Sequence, residues 1–372
     1  MGIWFTNHVF LCYFGLEYIL WSKYDMRRIG IFILSLLLSL SCLTACSKGD
    51  APAEAGTLPL IEFEPVTGIV EGRTDIYLIV KLVDSSYWQV MINGVKDAGE
   101  ALGCNVYCGG TTNEIDWKGQ RKLIEEALSR NADAIILAPD DSIELAPDIE
   151  NIHNAGIPIV LIDTAANTES YDICYMTDNL LAGQNAAREM LRQLHARGRL
   201  EDEKLCVGIM VGMATSQTIN ERLAGFYKYW SENAPVNWTI ASDIMNCNGN
   251  IDIGDELAED FLKEHPNTCG LYGTNNGPTR VLCNIVKDKS RTDIVVVGFD
   301  FSDEMKELIE SPDYCASTML QRQYDMGSKA VGSVLSILKG DIQPIRFEDT
   351  GVVTVNRDTL TDPDVEELLK HN

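Results

Sequence analysis

The sequence predicts an α/β fold of two Rossmann-like lobes, each a parallel sheet covered by helices, joined by a hinge. Three observations carry this expectation. From residue 74 onward, short apolar runs rich in β-branched residues alternate with amphipathic segments, as parallel strands and their crossover helices do. About ten such runs occur, too many for one comfortable sheet. The polar turn Thr177-Asp178-Asn179 divides them into two sets and is the candidate crossover.

The first set comprises 76–80, 104–107, 134–138, 158–162 and 172–176. The second comprises 205–210, 239–242, 270–272 and 294–297. Each is short and continuous, the mark of a strand with no wet face. Between them lie helical stretches such as Gln120 to Arg130, whose Leu123, Ile124, Ala127 and Leu128 share one stripe.

The 372 residues suffice for two cores. A hydrophobic fraction of 45% with 23% charged residues is globular and argues against disorder. Lys and Arg number 30 against 55 Asp and Glu, a net charge of −25. Such a surface repels phosphate backbones and excludes nucleic-acid binding. The 5 His are scattered, and no metal or cofactor motif is present. Phosphate loops, nucleophile elbows and His-Glu-x-x-His pairs are all missing, so no enzyme is expected.

Residues 1–45 read as an upstream extension followed by an export signal. Translation is expected to start at Met26. Arg27 and Arg28 form a basic start, Ile31 to Leu40 an apolar run too short to span a membrane, and Leu43-Thr44-Ala45-Cys46 a cleavage site. That site resembles the lipobox of bacterial lipoproteins, which implies lipidation at Cys46 and anchoring on the extracytoplasmic face of the cell membrane. A plain signal peptide or an N-terminal span is the plainer alternative. Residues 46–73 read as a flexible tether. Eight cysteines remain in the body, none in a Cys-x-x-Cys pair. They read as small buried hydrophobes, and free thiols in an exported protein suggest a reducing habitat.

Eight motifs in order then carry a resemblance over residues 74 to about 356. They are Asp84-Ser85-Ser86-Tyr87-Trp88; the first-helix pattern of Gly94, Ala98 and Leu102-Gly103; Ala138-Pro139-Asp140-Asp141; and Gly156 through Asp163. Thr177-Asp178-Asn179 with Gly183, Glu221-Arg222-Leu223-Ala224-Gly225-Phe226, Gly273-Thr274-Asn275-Asn276 and Val297-Gly298-Phe299-Asp300 follow. The chain resembles the ribose/galactose-type periplasmic sugar-binding proteins of ABC transporters, with the type I periplasmic binding fold. Lactose-type repressors share this core, but a lipid anchor stands where they carry a helix-turn-helix. The resemblance implies an N-terminal lobe of 74–178 and 322–349 and a C-terminal lobe of 179–321 and 350–358; the end, 359–372, is polar and reads as a surface helix or tail.

It also implies a ligand site of Ser85, Tyr87, Trp88 and Asp163 on one lobe, with Asn220, Asn275, Asp300 and Gln321 on the other lobe or hinge. Chemistry agrees, because ligands of open parallel sheets sit beyond the strand carboxyl ends. Rings cover the apolar faces of a sugar, while carboxylates and amides bond its hydroxyls. Two departures separate the site from the ribose pattern. Thr164 and Asn220 stand where the family often has arginine. Lys81 ends the first strand in place of a small polar residue, as in some autoinducer-binding relatives, and replaces the lost cation.

Plainer readings stand beside these. Tyr87 and Trp88 are otherwise core aromatics, and Asp163 and Asp300 otherwise helix caps. Asn275 is otherwise a turn residue, Lys81 a solvated strand end and Gln321 a surface amide. The expected function is capture of a small sugar or polyol by a monomer and its delivery to an ABC permease. The alternative is presentation of ligand to a membrane sensor kinase. A hydrolase using Asp163 and Asp300 lacks an activating base.

Overall fold

The computed structural model describes residues 60–341 and 346–371. The signal segment, Met26 and Cys46 lie outside the described residues. Among the described residues no helix is long and apolar enough to cross a membrane.

Strand and helix alternate as β1 (Leu60–Pro65), β2 (Asp75–Leu82), α1 (Ser86–Leu102), β3 (Asn105–Thr111), α2 (Trp117–Ser129), β4 (Ala134–Leu137), α3 (Ala146–Asn154), β5 (Ile159–Ile162) and β6 (Ile173–Met176). The chain then enters a second array: α4 (Asn179–Ala196), β7 (Leu205–Val211), α5 (Gln217–Asn233), β8 (Trp238–Ile240), β9 (Met245–Asn246), α6 (Ile251–Glu264) and β10 (Thr268–Gly273). This array continues with α7 (Asn276–Asp288), β11 (Val295–Phe299), α8 (Asp303–Glu310) and β12 (Cys315–Gln321). It is followed by α9 (Gln323–Leu338), β13 (Phe347–Asp349), β14 (Val352–Asn356) and α10 (Pro363–Leu369).

The first sheet has the order β1-β3-β2-β4-β5-β6-β13. The second runs β14-β12-β11-β10-β7-β8, with β9 also on β7. All pairs are parallel except β1 on β3 and β14 on β12, which lie at the edges. Every residue of β4, β5, β6, β7, β10 and β11 is buried. These strands read as unbroken apolar runs because helices cover both faces. The chain passes between sheets after β6, after β12 and between β13 and β14.

In each lobe a helix returning from the other lobe packs on the lobe's own first helix. α9 lies on α1, and α4 on α5. Glycines permit the close approach: a Cβ on Gly94 would collide with the Tyr324 carbonyl, and one on Gly225 with the Leu180 carbonyl.

One expectation needs correction. The tether does not extend to residue 73, because residues 60–65 add an antiparallel edge strand to the first sheet. Phe63 is buried edge-on against Tyr77 at 4.8 Å, and the Thr67 hydroxyl accepts the Val106 N–H at 2.9 Å. The alternation Ile61-Glu62-Phe63-Glu64 carried that signal. Of the two readings of the polar end, the helix holds: α10 buries Val365 against the second lobe's core, with Leu368 and Leu369 beside it. The eight body cysteines are free thiols, seven of them buried and Cys315 half-buried.

Candidate functional site

The carboxyl ends of both sheets face one crevice. It encloses about 640 Å³ of empty space, a figure that includes its solvent-open mouth. Lys81, Ser85, Tyr87, Trp88, Glu114, Asp140 and Asp163 line it from the first lobe. Met213, Ser216, Arg222, Asn275, Asn276, Asp300 and Gln321 line it from the second lobe and the crossings.

On the first lobe, Asp163 follows β5 with a left-handed backbone at φ 64°. The turn aims its carboxylate at the end of β2. Lys81 Nζ donates to Asp163 Oδ2 at 3.0 Å and to Thr164 Oγ1 at 2.6 Å. The Tyr87 hydroxyl donates to Asp163 Oδ1, and the Thr164 hydroxyl donates to Oδ2 at 2.6 Å. Burial pushes this carboxyl up, but Lys81, then the Thr164 and Tyr87 hydroxyls and Arg222, outweigh it and hold it below the usual value. The Tyr87 phenol is pushed well up by burial and by Asp163. Trp88 packs edge-on to Tyr87 at 5.0 Å and donates its Nε1–H to Glu114 Oε1 at 3.1 Å.

On the second lobe, Arg222 is the hub. It donates to Asn179 Oδ1 at 2.8 Å, to the Thr274 carbonyl at 2.7 Å and to Gln321 Oε1 at 3.0 Å. Its guanidinium lies 3.8 Å from the Phe299 ring centre. Gln321 also accepts from the Thr177 hydroxyl at 2.9 Å and donates to Asp300 Oδ1 at 2.9 Å. One chain of bonds thus runs from the first crossing at Thr177 through the second at Gln321 to the crevice wall at Asp300. Burial pushes the Asp300 carboxyl up to about 7, against Arg222 and Gln321, with Asp163 and Glu114 adding to the rise.

Eight of the nine expected residues line this one crevice: Lys81, Ser85, Tyr87, Trp88, Asp163, Asn275, Asp300 and Gln321. Asn220 does not. It is exposed on α5 and donates to the Ala214 carbonyl at 2.9 Å. Arg222, two residues on, shares the buried stripe of Ile219, Gly225 and Phe226, and helical spacing was the signal that separates the two.

The plainer readings mostly fall away. No helix follows Asp163 before β6, and the cap of α8 is the Ser302 hydroxyl, which accepts the Met305 N–H at 3.3 Å. Gln321 is buried and Lys81 is not solvated. Tyr87 and Trp88 are both core and lining, because the crevice is the open end of the first lobe's core. Asn275 lines the crevice beside Asn276 and makes no side-chain cap bond to α7. Glu114 and Asp140 are further lining carboxyls that the sequence reading left unassigned.

One group among the described residues brings three metal-type ligand atoms within 4.8 Å of one another: Asp243, Glu264 and His265. None of the three lines the crevice.

Two mostly parallel sheets crossed by the chain at a hinge, with a polar crevice between their carboxyl edges, define a two-lobed binding protein. The family model for the periplasmic binding protein domain matches residues 76–342, and the chain belongs to that family. It is 26% identical over 332 residues to a D-ribose/D-allose-binding protein of Pseudomonas aeruginosa, covering 88% of this chain and 98% of that one. It is 26% identical over 257 residues to a D-apiose import binding protein of Actinobacillus succinogenes, covering 69% of this chain and 79% of that one. A solute-binding protein of an ABC transporter from Agrobacterium vitis, solved with bound D-fucose, superposes with a TM-score of 0.71 at 26% identity. That match covers 78% of this chain and 98% of the other.

Proposed function

We propose that this protein captures a small sugar or related polyol between its lobes and delivers it to the permease of an ABC importer. One observation carries the reading: ring faces, carboxyl groups and amides converge on a single interlobe crevice at Tyr87, Trp88, Asp163, Asn275, Asp300 and Gln321. Rings match the C–H faces of a sugar and the polar groups match its hydroxyls. The names of the relatives, binders of D-apiose, D-ribose and D-allose, support the same class.

Closure follows as a population shift, because contacts to both lobes at once exist only in the shut form. Eight of the nine expected residues are contacts in this reading, and Arg222 joins them in place of Asn220. In this reading Cys46 carries the lipid and holds the protein at the extracytoplasmic face as a monomer.

The test is a thermal-shift and calorimetric screen of pentoses, hexoses and polyols beside amino acids and short peptides. At least one sugar or polyol raises the melting point and binds with one-to-one stoichiometry. Hits confined to amino acids or peptides would reject the reading. Separately, Cys46→Ala releases the protein from the membrane fraction if the anchor is as proposed.

A further inference from the structure

Asp140 follows β4 at the crevice wall and is only 3% exposed. Among the described residues, neither of its carboxyl oxygens has a hydrogen-bond partner. Its backbone is pinned: the Asp140 N–H donates to Gln120 Oε1 at 2.7 Å, and Gln120 Nε2 donates to the Ala138 carbonyl at 2.8 Å. The side chain therefore projects from a rigid wall.

The neighbours that could satisfy it are committed elsewhere. Thr111 is the hydroxyl donor acting on it, but its single hydrogen serves one acceptor at a time, and the main-chain carbonyls of Lys81 and Asn113 both compete for it. Lys81 is the cation acting on it, and Lys81 bonds Asp163 and Thr164 instead. Buried polar groups without partners are rare, and each calls for a ligand, a water or a functional reason.

We propose that Asp140 is a ligand-contact residue of the crevice, bonding a pair of adjacent hydroxyls on an uncharged sugar or polyol. The inference rests on the sugar-binding reading above and extends it to a residue and a ligand class. Burial pushes the Asp140 carboxyl well up, with Lys81 and the Thr111 hydroxyl opposing and Glu114 and Asp116 adding to the rise. The two carboxyl oxygens present a planar pair of hydrogen-bonding atoms, the complement of two neighbouring hydroxyls. An anionic sugar acid is disfavoured here, because Glu114 and the ionised Asp163 line the same wall.

The experiment takes a sugar or polyol that binds the wild-type protein and compares Asp140→Ala with Asp140→Asn by calorimetry. The amide keeps one donor and one acceptor. Asp140→Ala is expected to weaken binding by at least about tenfold, and Asp140→Asn by less. A deoxy analogue lacking one contacted hydroxyl binds wild type more weakly than the parent, and in Asp140→Ala that difference disappears. The ligand-free melting point of both variants stays at or above wild type, because no protein bond is lost.

An Asp140→Ala effect below about tenfold overturns the proposal while leaving the sugar reading intact. So does a fall in the ligand-free melting point of both variants, which marks a structural role. A wild-type protein that binds only cationic amino sugars overturns the uncharged class. A wild-type protein that binds no sugar overturns the parent reading and this one together.

Discussion

Asp163 and Asp300 occupy equivalent places in the two lobes. Each follows a fully buried strand and has a left-handed backbone, φ 64° and 67°. Each donates its N–H to a carbonyl of the neighbouring strand, Tyr175 at 2.8 Å and Met319 at 3.0 Å. Their electrostatics diverge because only Asp163 has an ammonium within bonding distance, Lys81 at 3.0 Å. Asp300 has a neutral amide donor instead. Two like-placed acids thus face one crevice, one held ionised and the other pushed up to about 7.

The Lys81–Asp163 pair is buried on both sides, so removing one partner strands a charge. Lys81→Met should cost about 3 kcal/mol in urea unfolding. Adding Asp163→Asn to that variant should recover more than about 1 kcal/mol, the coupling of a contacting pair. Additive losses from the two changes would contradict this pairing.

Asp300 makes stability fall as pH rises. The unfolded carboxyl ionises near pH 4 and the native one near 7, so between these values the native state holds the extra proton. The stabilisation is complete below about pH 4 and lost as pH passes about 7. Asp163 has the opposite sign: its contribution is present above about pH 4 and lost on acidification. Melting points measured from pH 5 to 8 should decline less steeply in Asp300→Asn than in wild type. Asp140, pushed up in the same direction, keeps the slope from vanishing. Parallel profiles would remove Asp300 as the source.

Arg222 ties Asn179, Thr274 and Gln321 together from one buried position. Arg222→Ala leaves the Asn179 and Thr274 acceptors unpaired, leaves Gln321 Oε1 with the Thr177 hydroxyl alone, and should cost about 3 kcal/mol in denaturant unfolding. Lysine lacks the planar fork, so Arg222→Lys should recover less than half. Full rescue by lysine would mean that charge alone matters.

Gly94 allows α1 and α9 to touch at the Tyr324 carbonyl. Gly94→Ala should cost about 2 kcal/mol by overpacking. Gly68, whose added Cβ meets nothing within 4 Å, is the control, and Gly68→Ala should change stability by less than about 0.5 kcal/mol. Equal midpoints in the two variants would deny the close approach.

Much of the site was legible in the chain because strand ends are. A continuous apolar run that stops at Asp163 or Asp300 places the acid at the rim of a parallel sheet, where ligands bind. Asn220 was misplaced because a motif aligns letters, whereas a helix presents one stripe. α5 is turned so that Arg222 faces inward and Asn220 faces water. The edge strand β1 was missed because the small-residue, proline-containing stretch after Cys46 was extended as a tether to residue 73.

The sequence by itself determined the alternation of elements, the two sets of strands and the identity of the rim residues, since period and composition are local properties. Only the tertiary structure decided which of those residues meet. β2, β4 and β5 are far apart in the chain, and their register alone brings Lys81 to Asp163 and leaves Asp140 beside them without a partner. Partnership in a dry interior depends on distances of about 3 Å between segments that sequence pattern does not relate.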